Sequence, residues 1–80
     1  MKYKLIKKGE RKGRTGTRVI YIEWTEDGKY KESYNNIKIG RSLLLDVGGW
    51  LTTPIVSIEN TTPKSISFTT KNSQYKLTWK

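Results

Sequence analysis

A chain of 80 residues with sixteen Lys and Arg against seven Asp and Glu, a formal charge of +9, has room for one small domain and carries a field suited to anionic partners. It contains no Cys and no His, which excludes disulfide staples, thiolate and imidazole metal sites, and most nucleophile and general-base schemes. The expectation is a non-enzymatic protein that needs neither cofactor nor metal.

Strand signals dominate from the start. In Lys2–Lys7, Tyr3 and Leu5 alternate with lysines. Residues 8–16 hold Gly9, Gly13 and Gly16 and read as a flexible basic loop or a broad hairpin tip. Thr17–Trp24 is a second run, with Ile20, Ile22 and Trp24 on one face and Val19, Tyr21 and Glu23 on the other. Glu26-Asp27-Gly28 is a turn, because glycine accepts positive φ. Lys29–Tyr34 places Tyr30, Glu32 and Tyr34 on one side. Asn35-Asn36 reads as a turn or bulge, and Ile37-Lys38-Ile39 as a resumed strand. Ser42–Val47 is apolar enough for a buried strand or a short helical turn, and Gly48-Gly49 allows a reversal. Ile55–Glu59 is a strand opened by Pro54, followed by a turn at residues 60–64. Ser65–Thr70 and Gln74–Lys80 alternate cleanly about a turn at 71–73.

This spacing, with no alanine and no helical stripe, predicts an all-β fold: a small antiparallel β-barrel or compact sandwich of six to seven short strands, in one domain. Trp24, Phe68, Tyr75 and Trp79 are assigned to its interior. The longest apolar run, Leu43–Leu45, is too short to span a bilayer, and residues 2–8 lack the apolar stretch of a signal peptide. A cytoplasmic protein with no membrane partner is expected.

The basic loop is the sharpest local feature. Lys7, Lys8, Arg11, Lys12, Arg14 and Arg18 lie within twelve residues. Flexible glycines would let these tips converge on phosphate, and arginine can grip it in a bidentate fork. A solvated hairpin tip accounts for the same charges. The glycine spacing is not that of a P-loop. Tyr21, Tyr30 and Tyr34 lie among charges and are candidates for an exposed platform on which bases stack; cross-strand structural pairs account for them equally well. Glu23 and Glu32 are placed to face each other across a hairpin, each available to a lysine. Trp50, after its glycines, reads as a core plug.

The stretch Gly49-Trp50-Leu51-Thr52-Thr53-Pro54-Ile55-Val56, followed by Thr70-Lys71-Asn72-Ser73-Gln74-Tyr75, resembles the ending of small phage-encoded proteins in which Trp-x-Thr-Ser/Thr-Pro-Val precedes a Thr-x-Asn-Ser-x-Tyr hairpin. The match covers residues 49–77, and its second motif is also a good generic turn. The resemblance implies a phage origin and action on host nucleic acid or against host defence. It carries over no binding residue, and the basic loop lies outside it.

Three uses fit these features. The first is a binding module for a phosphate-bearing ligand, nucleic acid in particular, with phosphates on the basic loop and bases on the tyrosines. The second is a phage anti-defence protein that sequesters a signalling nucleotide as a homo-oligomer, lined by Arg41, Trp50, Asn72 and Ser73. The third is an inhibitor that docks an acidic host protein, where charge complementarity sets the on-rate.

Overall fold

The computed structural model describes residues 2–46 and 49–80. Val47 and Gly48, which end the predicted 42–47 run and begin the predicted reversal, lie outside the described residues. Among the described residues nine strands form: β1 (Tyr3–Lys7), β2 (Arg14–Gly16), β3 (Val19–Trp24), β4 (Tyr30–Tyr34), β5 (Ser42–Leu45), β6 (Trp50–Leu51), β7 (Ile55–Thr62), β8 (Ser65–Thr70) and β9 (Gln74–Trp79). They make two antiparallel sheets, ordered β2-β1-β9-β8-β7 and β4-β3-β5-β6. No strand is shared between them among the described residues, so the fold is a sandwich and not a closed barrel. No helix of the described residues is long and apolar enough to cross a membrane.

The core lies between the sheets. Leu5, Leu77, Phe68, Tyr75 and Ile55 come from the larger sheet; Tyr21, Leu43 and Leu45 come from the smaller one. Cross-strand register explains the set. Leu5 opposes Leu77, and Phe68 opposes Tyr75, whose ring stacks on it with centroids 5.5 Å apart. On the second sheet Tyr21 opposes Leu43, and Val19 opposes Leu45. The register also settles the faces of β3. Both of its faces are apolar, so alternation alone does not say which one meets the other sheet. The pairing with fully buried Leu43 and Leu45 turns Val19 and Tyr21 inward. Tyr21, expected on an exposed face, is a core residue only 5% exposed. Trp24, expected inside, is half-buried on the outer face, and its indole N–H donates to Ser42 Oγ at 2.8 Å.

Tyr21's burial has a titration consequence. Desolvation, and secondarily Tyr3, pushes its phenol up to about 12 from an ordinary value of 10.0. The folded state therefore holds this proton more tightly than the unfolded chain. The stability so gained is complete below pH 10 and is lost as pH rises through about 12, a change of about 2–3 kcal/mol. Tyr21→Phe is expected to flatten the fall in denaturation midpoint across that window, measured against the parent chain, which controls for lysine titration.

Several boundaries shift for identifiable reasons. The second run begins at Val19 and not Thr17, because the Asp46 carboxylate captures the corner between the sheets. Asp46 accepts from Thr17 N–H at 2.9 Å, Thr17 Oγ1 at 2.8 Å and Arg18 N–H at 3.1 Å. Gly16 permits that approach: a Cβ there would sit 2.5 Å from Asp46 Oδ1 and 2.7 Å from Leu45 Cδ1. Residues 14–16, expected within the basic loop, pair with β1 as a strand, so the loop is confined to 8–13. The predicted strand at 37–39 is absent. There Arg41 N–H reaches back to Lys38 O at 3.1 Å and Gly40 N–H bonds Ile55 O at 2.7 Å, with Gly40 at φ 96°. The expected turn at 60–64 shrinks to Pro63-Lys64, since β7 continues to Thr62 opposite Ser65. The β7 register slips twice, between Ile55 and Ser57 and between Ile58 and Asn60, leaving Val56 and Glu59 as extra residues.

Candidate functional site

The outward face of the larger sheet is polar and cationic. Alternation along β1 turns Tyr3 and Leu5 inward, so Lys2 and Lys4 turn outward; along β9 it sends Lys76, Thr78 and Lys80 the same way. The strands are antiparallel neighbours, with Lys4 opposite Thr78 and Ile6 opposite Lys76. Beyond the strand ends Lys2 and Lys80 exchange two backbone hydrogen bonds of 3.1 and 3.0 Å. Lys64, at the β7–β8 turn, is drawn in by its carbonyl, which accepts from Trp79 N–H at 3.1 Å.

Lys2, Lys4, Lys64, Lys76 and Lys80 line one hollow of about 810 Å³, with Thr15, Ser65 and Thr78 beside them. All five lysines are exposed. Among the described residues none of them makes an ion pair; the ion pairs found there are Lys31–Glu23 and Arg41–Glu23. The cationic face extends further. Lys76 and Lys8 line an adjoining hollow of about 260 Å³. Lys7, Lys8 and Lys71 line a third, of about 420 Å³, together with Asn72 and Ser73. Glu59, which lines the hollow with Lys8 and Lys76, accepts from Thr69 Oγ1 at 2.5 Å and Ser57 Oγ at 2.7 Å. Those hydroxyls, Thr69 first, hold its carboxyl below the usual range. Lysines not held in ion pairs can contact several phosphates at once.

The residues singled out from the sequence are dispersed. Lys8 joins the cationic face, while Lys7, which shares the parity of Tyr3 and Leu5 and opposes Tyr75, lines only the third hollow. Arg11 and Lys12 are exposed in the 8–13 loop. Arg14 turns away, its guanidinium 3.6 Å from the centroid of Trp50, which packs against the core. Arg18 sits at the Asp46 corner. Tyr30 is 60% exposed on the smaller sheet. Tyr34 lies under Arg41, ring centroid to guanidinium 3.6 Å, and its hydroxyl donates to Glu32 Oε2 at 2.8 Å. That bond, followed by desolvation, raises its pKa. With Tyr21 in the core, the three tyrosines form no common platform.

The four residues of the nucleotide site do not gather either. Arg41 is 7% exposed and fully engaged: it reaches Glu23 Oε2 at 3.4 Å and donates from Nη1 to Asn36 O at 3.0 Å and Asn36 Oδ1 at 3.1 Å. Glu23 opposes Glu32 across the hairpin and takes Lys31 as a second partner at 3.7 Å. This cluster braces the smaller sheet. Arg41→Ala is expected to lower stability by about 2 kcal/mol, discounted for the partial exposure of Glu23, and to leave affinity for a polyanion without bases unchanged, since Arg41 lines none of the lysine hollows. A denaturant midpoint and a binding titration on one preparation check both.

No protein-family model, curated protein or solved structure matches the chain.

Proposed function

We propose that this chain is a binding module for a phosphate-bearing polymer, nucleic acid above all, and acts through its lysine-lined sheet face without chemistry of its own. The observation that supports this most is the set of five exposed lysines, without an ion pair among the described residues, around one hollow. The cations continue into two neighbouring hollows and do not converge on a point. A spread of that kind suits a chain of phosphates better than a single nucleotide. Hydroxyls from Thr15, Ser65 and Thr78 add neutral donors for phosphate oxygens. A nucleotide site built on Arg41 finds less support, since that guanidinium is already spent inside the protein.

The test is a titration of a labelled oligonucleotide at several salt concentrations. Each phosphate neutralised on a single strand contributes roughly −0.7 to the slope of log K against log salt. Five contacts, at roughly 0.7 each, give a slope of roughly −3.5. A flat salt response overturns the reading.

A further inference from the structure

At the end of the larger sheet where β1 begins and β9 stops, the inward face is aromatic. Tyr3 and Trp79 are cross-strand partners, with ring centroids 6.2 Å apart and planes at 48°. They form one side of a slot between the sheets, of about 280 Å³, whose other side includes Tyr21, Asn35, Asn36 and Ile37. Tyr3, Ile37 and Trp79 are half-buried although they pack against the core, so the slot opens to solvent. Tyr3 and Trp79 also line the lysine hollow. The two cavities therefore share a wall. Period-two alternation builds it: the strands that send Lys2, Lys4 and Lys80 outward send Tyr3 and Trp79 inward.

We infer that this slot receives an unpaired base of a single-stranded nucleic acid whose phosphates lie on the lysine hollow. The inference rests on the reading of the lysine face given above and adds to it a preference for single strands over duplex. Aromatic rings are platforms on which any base can stack. Asn35 and Asn36, both exposed, bring amides able to meet a base edge. Arg41 Nη1 donates to Asn36 Oδ1 at 3.1 Å, which orients that amide and leaves its NH₂ group to donate. The slot falls just below the roughly 300–1,000 Å³ of pockets for drug-sized ligands, a size suited to one flat heterocycle. Bases stacked inside a duplex cannot reach it.

The experiment compares four labelled ligands by fluorescence anisotropy. They are single-stranded DNA and RNA of about twelve nucleotides, within the span of small single-strand binders, the same DNA as duplex, and a strand of equal length made wholly of abasic sites. The base-bearing single strand is expected to bind roughly ten-fold tighter than the abasic strand or the duplex, the effect of about one stacked base, and to quench tryptophan emission. Asn35→Ala and Trp79→Leu are each expected to narrow that ratio; Asn35 is exposed, so its variant keeps the test valid if Trp79→Leu does not fold. A preference for RNA or for DNA supports the slot and identifies the strand. Equal affinity for base-bearing and abasic strands overturns the slot and leaves the lysine face standing. No binding to any of the four overturns the lysine face, and the slot with it.

Discussion

Lys4→Glu combined with Lys76→Glu is expected to weaken oligonucleotide binding by roughly 100-fold, which is about 2.8 kcal/mol. Both side chains are exposed and line the lysine hollow, and Lys76 also lines the adjoining one. Each lost phosphate contact removes a released counterion, and each new carboxylate repels the backbone. The salt slope should become shallower by about 0.7 for each lysine lost. Net charge would fall by four, from +9 to +5. Placement is separated from overall charge by Lys29→Glu combined with Lys38→Glu, which produces the same +5 outside the lysine hollow. That variant should keep most of the affinity. Equal losses in the two variants would mean that the field of the whole protein does the binding and that the lysine face has no special part. Neither lysine pair supports the core, so thermal melts of both variants should stay near the parent.

Phe68→Ala is expected to have the largest effect on stability. Phe68 is 1% exposed, stacks on Tyr75 and pairs with Ile58 on β7 as well as Tyr75 on β9. It thus joins three strands of one sheet at the core. Truncating a buried phenylalanine costs about 3–5 kcal/mol, part transfer and part cavity. At about 0.05–0.15 kcal/mol per residue, a domain of this size holds only about 4–12 kcal/mol in all. A fall in Tm of at least about 12 °C follows, followed by circular dichroism. Phe68→Leu, which leaves a smaller void, should lose less. A Phe68→Ala melt within a few degrees of the parent would mean that the core described above is not what holds the sheets together.

The strands that the sequence discloses best are the ones with one polar and one apolar face. Ser65–Thr70 reads directly as β8, and Gln74 onward as β9, because Phe68, Tyr75 and Leu77 alternate with Ser, Thr and Lys. The short β2 and β6 have three and two residues, too few to show a period, and β2 is masked by glycine and arginine. The inward face of β3 was unreadable because both its faces are apolar and the deciding partners, Leu43 and Leu45, lie more than twenty residues on. The site was hidden for a related reason. The outward period of Lys76, Thr78 and Lys80 is visible in β9, and that of Lys2 and Lys4 in β1. What cannot be read locally is that the first and last strands are neighbours. Charge density along the chain peaks at residues 7–18 instead, where the charges are close in sequence but scattered in space.

The two register slips in β7 have a consequence beyond the fold of one molecule. A sheet ends in strands with unpaired backbone donors and acceptors, and a long regular one invites a second chain to add to it. The outermost strands here are β2, β7, β4 and β6. Two are stubs, and β4 carries Lys31 and Glu32 beside its own register shift. β7, at eight residues, is the one long enough to template polymerisation. Its bulges bend it and break its row of bonding groups, and Glu59, one of the two inserted residues, sets a charge on the rim. Copies of the chain that meet edge to edge are thereby kept from zipping into fibrils.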